Sequence, residues 1–224
     1  MSESKGIQTF QYNVSQIYLE IARAITSSSL YQLYRNKGEP LDDNNEASIR
    51  FARVAITIAF SYASLEAFCN SQLYSKYTIV METEHFEWKL GFRDKKYKKY
   101  FKNEESLKTL IEQGELKEKL RALASVCNIS PLNEANPKLW NSLCQITKEM
   151  RDFIIHPKPD PDEFQKKMNK IMEKYKPSDY YKTIEGIFSY FHEQTGREIP
   201  EWVKQNTLFS FLDSKDLLRA SKCK

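Results

Sequence analysis

Apolar residues recur at helical spacing along most of the chain, beginning with Phe10, Val14, Ile17, Tyr18, Ile21, Ala24, Ile25, Leu30 and Leu33. This stripe predicts a first helix over residues 9 to 35, stopped by Gly38 and Pro40. Leu41-Asp-Asp-Asn-Asn-Glu reads as a turn with a capping Asn or Asp at 43 to 45, followed by a second helix from about Glu46 to Val80. Its centre, Val54 to Phe68, is apolar on nearly every side, as expected of a core helix. Arg53 and Glu66 bracket only about a dozen mostly apolar residues, short of the roughly 20 that a bilayer needs, so no membrane span is expected.

From Met81 to Asn103 the period is lost in an aromatic and basic run, which reads as an insertion. Helical character resumes over 104 to 127 with a break near Gly114, and a loop rich in Pro and Asn follows to Pro137. Pro137 suits the first turn of a helix over 138 to 156, with Leu139, Leu143, Ile146, Met150, Phe153 and Ile154 inward. Pro157-Lys-Pro-Asp-Pro ends it. Two more helices are expected, over about 161 to 175 and 178 to 195. The tail, with Ile199-Pro-Glu-Trp202 and Leu208 to Leu218, reads as a packing segment and a last small helix. The fold class is all-α: an antiparallel helical bundle with long core helices, an inserted segment at 81–103 and extra C-terminal helices. One domain over 1–224 is expected, with its core at 10–195 and a packing segment at 196–224.

Composition agrees with this pattern. Six Gly and eight Pro in 224 residues are few, which favours long helices over strands joined by turns. Cys69, Cys127, Cys144 and Cys223 form no CxxC pair, so neither a zinc site nor a disulfide framework is expected, and a reducing compartment fits. Met1-Ser-Glu-Ser-Lys-Gly leads into no apolar h-region, so the expected location is cytoplasmic. A net charge of +4, a pI near 8.7 and a mean hydropathy of −0.63 are compatible with an anionic polymer as partner without demanding one.

One element carries chemistry. Arg151-Asp-Phe-Ile-Ile-His156 brings a fixed cation and an imidazole to one helix terminus. Histidine exchanges protons near neutral pH, and the guanidinium can hold a phosphoryl oxygen through parallel hydrogen bonds. RNA cleavage needs little more, because the 2′-hydroxyl is an internal nucleophile already beside its phosphorus. In a regular helix five steps turn the two side chains about 140° apart. A working site therefore requires the last turn before Pro157 to unwind, or two copies to pool residues across a dimer axis. The plainer reading makes Arg151 a surface partner of Glu149 or Asp152, with His156 placed favourably on the helix dipole.

Glu149-Met-Arg-Asp-Phe-Ile-Ile-His-Pro157 resembles the Arg-polar-x3-His signature of HEPN domains, and Ser61-Tyr-Ala-Ser-Leu-Glu-Ala-Phe68 is similar to the serine- and glutamate-bearing helix that precedes that motif in several HEPN families. The resemblance spans roughly residues 10 to 195 as a bundle, with its specific motifs confined to those two segments. It implies an up-and-down helical bundle, often a homodimer, acting as an endoribonuclease without cofactor or metal in toxin or antiviral systems. Arg151 and His156 would be the catalytic pair, Asp152 would orient one of them, and a neutralising antitoxin or other defence protein is an implied partner. Other HEPN proteins are non-catalytic binding modules, and a purely structural helical scaffold is a third possibility.

Glu66 lies in the most apolar helix, where an unpaired carboxylate would be costly: it pairs with Arg151, whose guanidinium it would orient, or it pairs with Arg53 or turns to solvent. Ser61 and Ser64 either line the same cleft or bond back to helix carbonyls, the second being expected. Arg93, Lys95, Lys96, Lys98, Lys99 and Lys102, interleaved with Tyr97, Tyr100 and Phe101 and offset by Asp94, have the composition of a single-strand RNA contact or of a solvated loop. His85 and His192 read as structural or surface residues, and Trp88, Trp140 and Trp202 as packing residues.

Overall fold

A helix of 40 residues, α2 (Asp43–Glu82), is the hub of the protein, and at 1.5 Å per residue it runs about 60 Å. The computed structural model describes residues 13–26, 43–82, 92–149 and 176–205, with further helical positions at 166, 169, 170 and 173. Of these residues 83% are helical and none is in a strand, so the protein is all-α. Helix α1 (Val14–Thr26) precedes the hub, and a 3-10 helix (Lys95–Phe101) follows it. Then come α3 (Glu104–Gln113), α4 (Leu116–Val126), the single turn α5 (Leu132–Ala135), α6 (Pro137–Glu149), α7 (Pro177–Gln194) and α8 (Glu201–Lys204). Helices α1, α4 and α7 lie against α2, α6 lies on α7, and the 3-10 helix packs on α3 and α4.

Leu65, Cys69 and Leu73 of α2 are fully buried and meet Leu19 of α1, Leu120 and Leu123 of α4, and Ile184, Ile187 and Phe188 of α7 in one core. Each such aliphatic or aromatic side chain contributes about 1.5–3 kcal/mol by leaving water. Phe68 stands at the centre, with ring centroids 4.7 Å from Phe188 and 6.0 Å from Phe191. Trp202 closes the far side by meeting Phe188 edge-on at 5.5 Å, so the 199–205 segment packs as expected.

Breaks fall where backbone chemistry requires them. Gly114 separates α3 from α4, and a Cβ there would collide with the Leu110 carbonyl that accepts the Gly114 N–H. Asn103 and Asn136 cap the starts of α3 and α6 through Oδ1, at 2.8 Å to Ser106 N and 3.0 Å to Leu139 N. Two helices end in the same motif: Asn128 (φ 54°) after α4 and Gly196 (φ 65°) after α7 take the left-handed conformation. Ile129 N and Arg197 N then reach back to the Ala124 and His192 carbonyls.

Part of α2, Phe51–Ile79, is long and apolar enough by length and composition to cross a membrane, a longer stretch than the one read between Arg53 and Glu66. Both of those charges are engaged within the bundle. Arg53 donates to the Ile25 and Thr26 carbonyls at the end of α1, at 3.2 and 2.9 Å. Glu66 accepts from Lys119 Nζ of α4 at 2.6 Å, a lysine whose side chain is 1% exposed, while Arg53 is turned to α1; Arg151, the other partner read from the sequence, lies outside the described residues. Burial, reinforced by the Glu66 and Glu115 charges, pushes the neighbouring Tyr62 hydroxyl up to about 12. Losing the carboxylate strands a buried ammonium, whereas losing the ammonium leaves a carboxylate that water still reaches. Glu66→Ala is expected to lower unfolding free energy by about 2 kcal/mol and Lys119→Met to be near neutral, as read by urea denaturation.

The serines also depart from expectation. Ser64 donates across to the Ser15 carbonyl of α1 at 2.6 Å instead of back into its own helix. Ser61 Oγ is buried without a hydrogen-bond partner among the described residues.

His192 is built into the wall: its ring centroid lies 6.3 Å from that of Phe68, and its Nδ1 is buried without a partner among the described residues. Burial first, then the Arg197 charge, hold the imidazole below its ordinary 6.5, with a backbone hydrogen bond involving Glu198 acting against them. The unfolded chain therefore takes up this proton before the folded one as pH falls. The stability contributed by neutral His192 is complete above pH 6.5 and declines below it. The urea midpoint of His192→Phe should fall less than that of the wild type between pH 8 and pH 5.

Candidate nucleic-acid interface

The basic, aromatic run lacks a 3.6-residue period because it winds as a 3-10 helix, in which residues three apart eclipse. Asp94 caps it, its Oδ1 accepting from Lys96 N at 3.1 Å. Tyr97 (5% exposed) and Phe101 (0%) face the core, and Phe101 meets Phe92 edge-on at 5.4 Å. Tyr100 donates its hydroxyl to Glu118 of α4. The described part of 81–103 thus packs into the wall of the bundle.

Lys96, Lys99 and Lys102 fall on one ridge of this helix, with steps of about 6 Å between successive positions. All three are exposed, as is Lys95, while Lys98 is half-buried. Lys96 Nζ stands 4.8 Å from the Tyr97 ring centroid, and Lys99 Nζ 4.6 Å from that of Tyr100. A ridge of ammonium groups backed by rings offers a polyanion a track of charge, and each phosphate contact gains affinity by releasing a counterion.

Beside the ridge lies an open cleft of about 360 Å³ between the 3-10 helix and the α4–α5 corner. The Schellman turn at Asn128 shapes that corner and delivers Ile129 and Pro131 to the wall. Buried Ser125 holds the opposite lip: its carbonyl accepts from Arg93 N at 3.1 Å, and its hydroxyl bonds both the N–H and the carbonyl of Asp94 at 2.9 and 3.0 Å.

Two of the predicted RNA-binding cations are locally neutralised here. Arg93 donates to Ser130 Oγ at 2.7 Å and to Glu134 at 3.3 Å, and Lys96 pairs with Asp94 at 3.0 Å. Hydrogen bonds from the Lys96 amide and then from its ammonium hold Asp94 below its usual range, and Asp94 raises Lys96 in return. Glu134 lies outside the run in sequence, and α5 brings it back beside Arg93.

Sequence reading also missed Arg121. It is exposed on α4, lines the cleft, and has its Cζ 5.0 Å from the Trp140 ring centroid, so Trp140 serves as a platform as well as packing. No local pattern marks it, because α6 supplies the ring and the 3-10 helix supplies the opposing wall.

Arg151, Asp152 and His156 lie outside the described residues, as do His85 and Trp88; α6 carries the chain as far as Glu149. Among the described residues no group of three or more His, Cys, Asp or Glu side chains could hold a metal ion. Burial raises the thiols of Cys69 and Cys127, which therefore stay protonated near neutral pH. No family model, curated protein or solved structure matches the chain.

Proposed function

We propose that this protein is a cytoplasmic, metal-independent endoribonuclease of the HEPN type, acting as a homodimer in a toxin or antiviral setting. The observation that carries RNA as substrate is the ridge of Lys96, Lys99 and Lys102 with its backing rings, beside a cleft edged by Arg121. Support for cleavage comes from the sequence: Arg151 and His156 stand in a HEPN-like motif just past α6, in a chain that is all-α.

The 2′-hydroxyl oxygen forms a bond to phosphorus while the bond from phosphorus to the 5′-oxygen breaks. The products are a 2′,3′-cyclic phosphate and a 5′-hydroxyl. His156 moves the proton of the attacking or the leaving oxygen, Arg151 holds the crowded phosphate, and Asp152 orients one of the two.

The second reading is a non-catalytic HEPN module that binds a nucleotide or a protein. Incubating a mixed RNA pool with the purified protein in EDTA, with end-group analysis, separates the two. Cyclic phosphate ends establish the ribonuclease; intact RNA bound by a folded protein establishes the module.

A further inference from the structure

Five charged side chains edge the cleft beside the 3-10 helix: Arg93, Asp94, Lys96, Arg121 and Glu134. Arg93 is spent on Glu134 and Lys96 on Asp94, which leaves Arg121 as the cation without a carboxylate partner among the described residues. The cleft's excess positive charge therefore rests on one guanidinium. The Trp140 ring supports that group and holds it in place.

A second observation concerns Asn133, which also lines the cleft. Its Oδ1 is shielded from solvent and has no hydrogen-bond partner among the described residues. The other amide atom, Nδ2, is not shielded and makes no hydrogen bond among the described residues, so it is the atom that a molecule in the cleft can meet. An arginine without a carboxylate partner among the described residues and an unmet amide share a cleft of about 360 Å³, within the range of roughly 300–1,000 Å³ that small-molecule sites occupy.

From this we infer that the cleft is a subsite for one unpaired nucleotide of a single-stranded RNA, with Arg121 on its phosphate and Asn133 on the edge of its base. The strand is preferred to a free nucleotide because the ridge adjoins the cleft, and beyond the paired Lys96 the exposed Lys99 and Lys102 would meet neighbouring phosphates. The inference rests on RNA as the substrate proposed above and not on the cleavage chemistry. Unpaired bases present their edges to such pockets, whereas paired ones do not.

The test is fluorescence-anisotropy titration of 2′-O-methyl RNA hexamers, which 2′-hydroxyl attack cannot cleave, onto the full chain across a salt series. 5′-Mononucleotides serve as competitors, and Lys182→Ala, an exposed change on α7, as control. Arg121→Ala should weaken hexamer binding about 10-fold and reduce the slope of log affinity against log salt by about 0.7. Asn133→Leu should weaken binding several-fold with the slope unchanged, and the control should match the wild type.

An Arg121→Ala protein with wild-type affinity and slope overturns the subsite, as does a wild type that binds no hexamer. Tighter binding of mononucleotides than of hexamers overturns the strand assignment. Arg121-dependent binding in a protein that cleaves nothing sinks the ribonuclease reading and keeps the subsite; RNA cleavage without any Arg121 dependence of binding does the reverse.

Discussion

His156→Ala is expected to lower metal-free RNA cleavage about 1,000-fold, the size of effect that follows when a positioned proton-transfer group is removed from a reaction whose nucleophile is already in place. Binding of uncleavable RNA should stay within about twofold of the wild type, because affinity is expected to rest on lysine and arginine contacts to phosphate. Arg151→Lys should fail to restore the activity lost in Arg151→Ala. An ammonium keeps the charge but cannot place two parallel hydrogen bonds on one phosphoryl group. Measured rates of cyclic-end formation for these three variants decide the matter. A His156→Ala protein that cleaves at the wild-type rate removes the motif from the chemistry.

Arg23→Ala should lower unfolding free energy by about 4 kcal/mol. Its guanidinium is 7% exposed and fully committed: Nε donates to Glu185 of α7 at 2.7 Å, and the terminal nitrogens donate to the Trp202 and Val203 carbonyls. Truncation leaves a half-buried carboxylate and two shielded carbonyls without their donor, and each such group carries its own desolvation cost. The same change should release the 199–205 segment, visible as faster amide exchange at Val203 and Gln205, while exchange in the middle of α2 changes least. Wild-type denaturation midpoints for Arg23→Ala would show that the clamp contributes nothing.

The long helix α2, the break at Gly114, the start of α6 at Pro137 and the extent of α7 were all legible, because each rests on local signals: apolar period, caps and breakers. The face that α1 buries was less so. The stripe through Val14, Ile17 and Ile21 pointed one way, yet Val14 is 44% exposed while Leu19, Ala22 and Arg23 are buried. A charged residue within a helix reads as its outer face, and only partners far away in sequence make its burial tolerable. The same holds for Lys119, whose carboxylate waits on α2, and for Arg121, whose platform comes from α6. The 3-10 run escaped because its period of three was sought among periods of two and 3.6. Of the site, the lysines of that run were readable, as was Asp94, which pairs with Lys96, whereas the pairing of Arg93 with Glu134 was not. The cleft was not, since three separate elements build it.

The Arg23 clamp also has a bearing on how the protein comes off the ribosome. Its partners on α7 and at Trp202 and Val203 lie 162 to 180 residues further along, so at ordinary rates of synthesis α1 waits about 10–40 s before they exist. During that interval the nascent chain can pair α1 with α2 but cannot neutralise the guanidinium it will later bury. Closure of the clamp therefore waits until Trp202 and Val203 have been made, and a chain released short of Val203 lacks that latch.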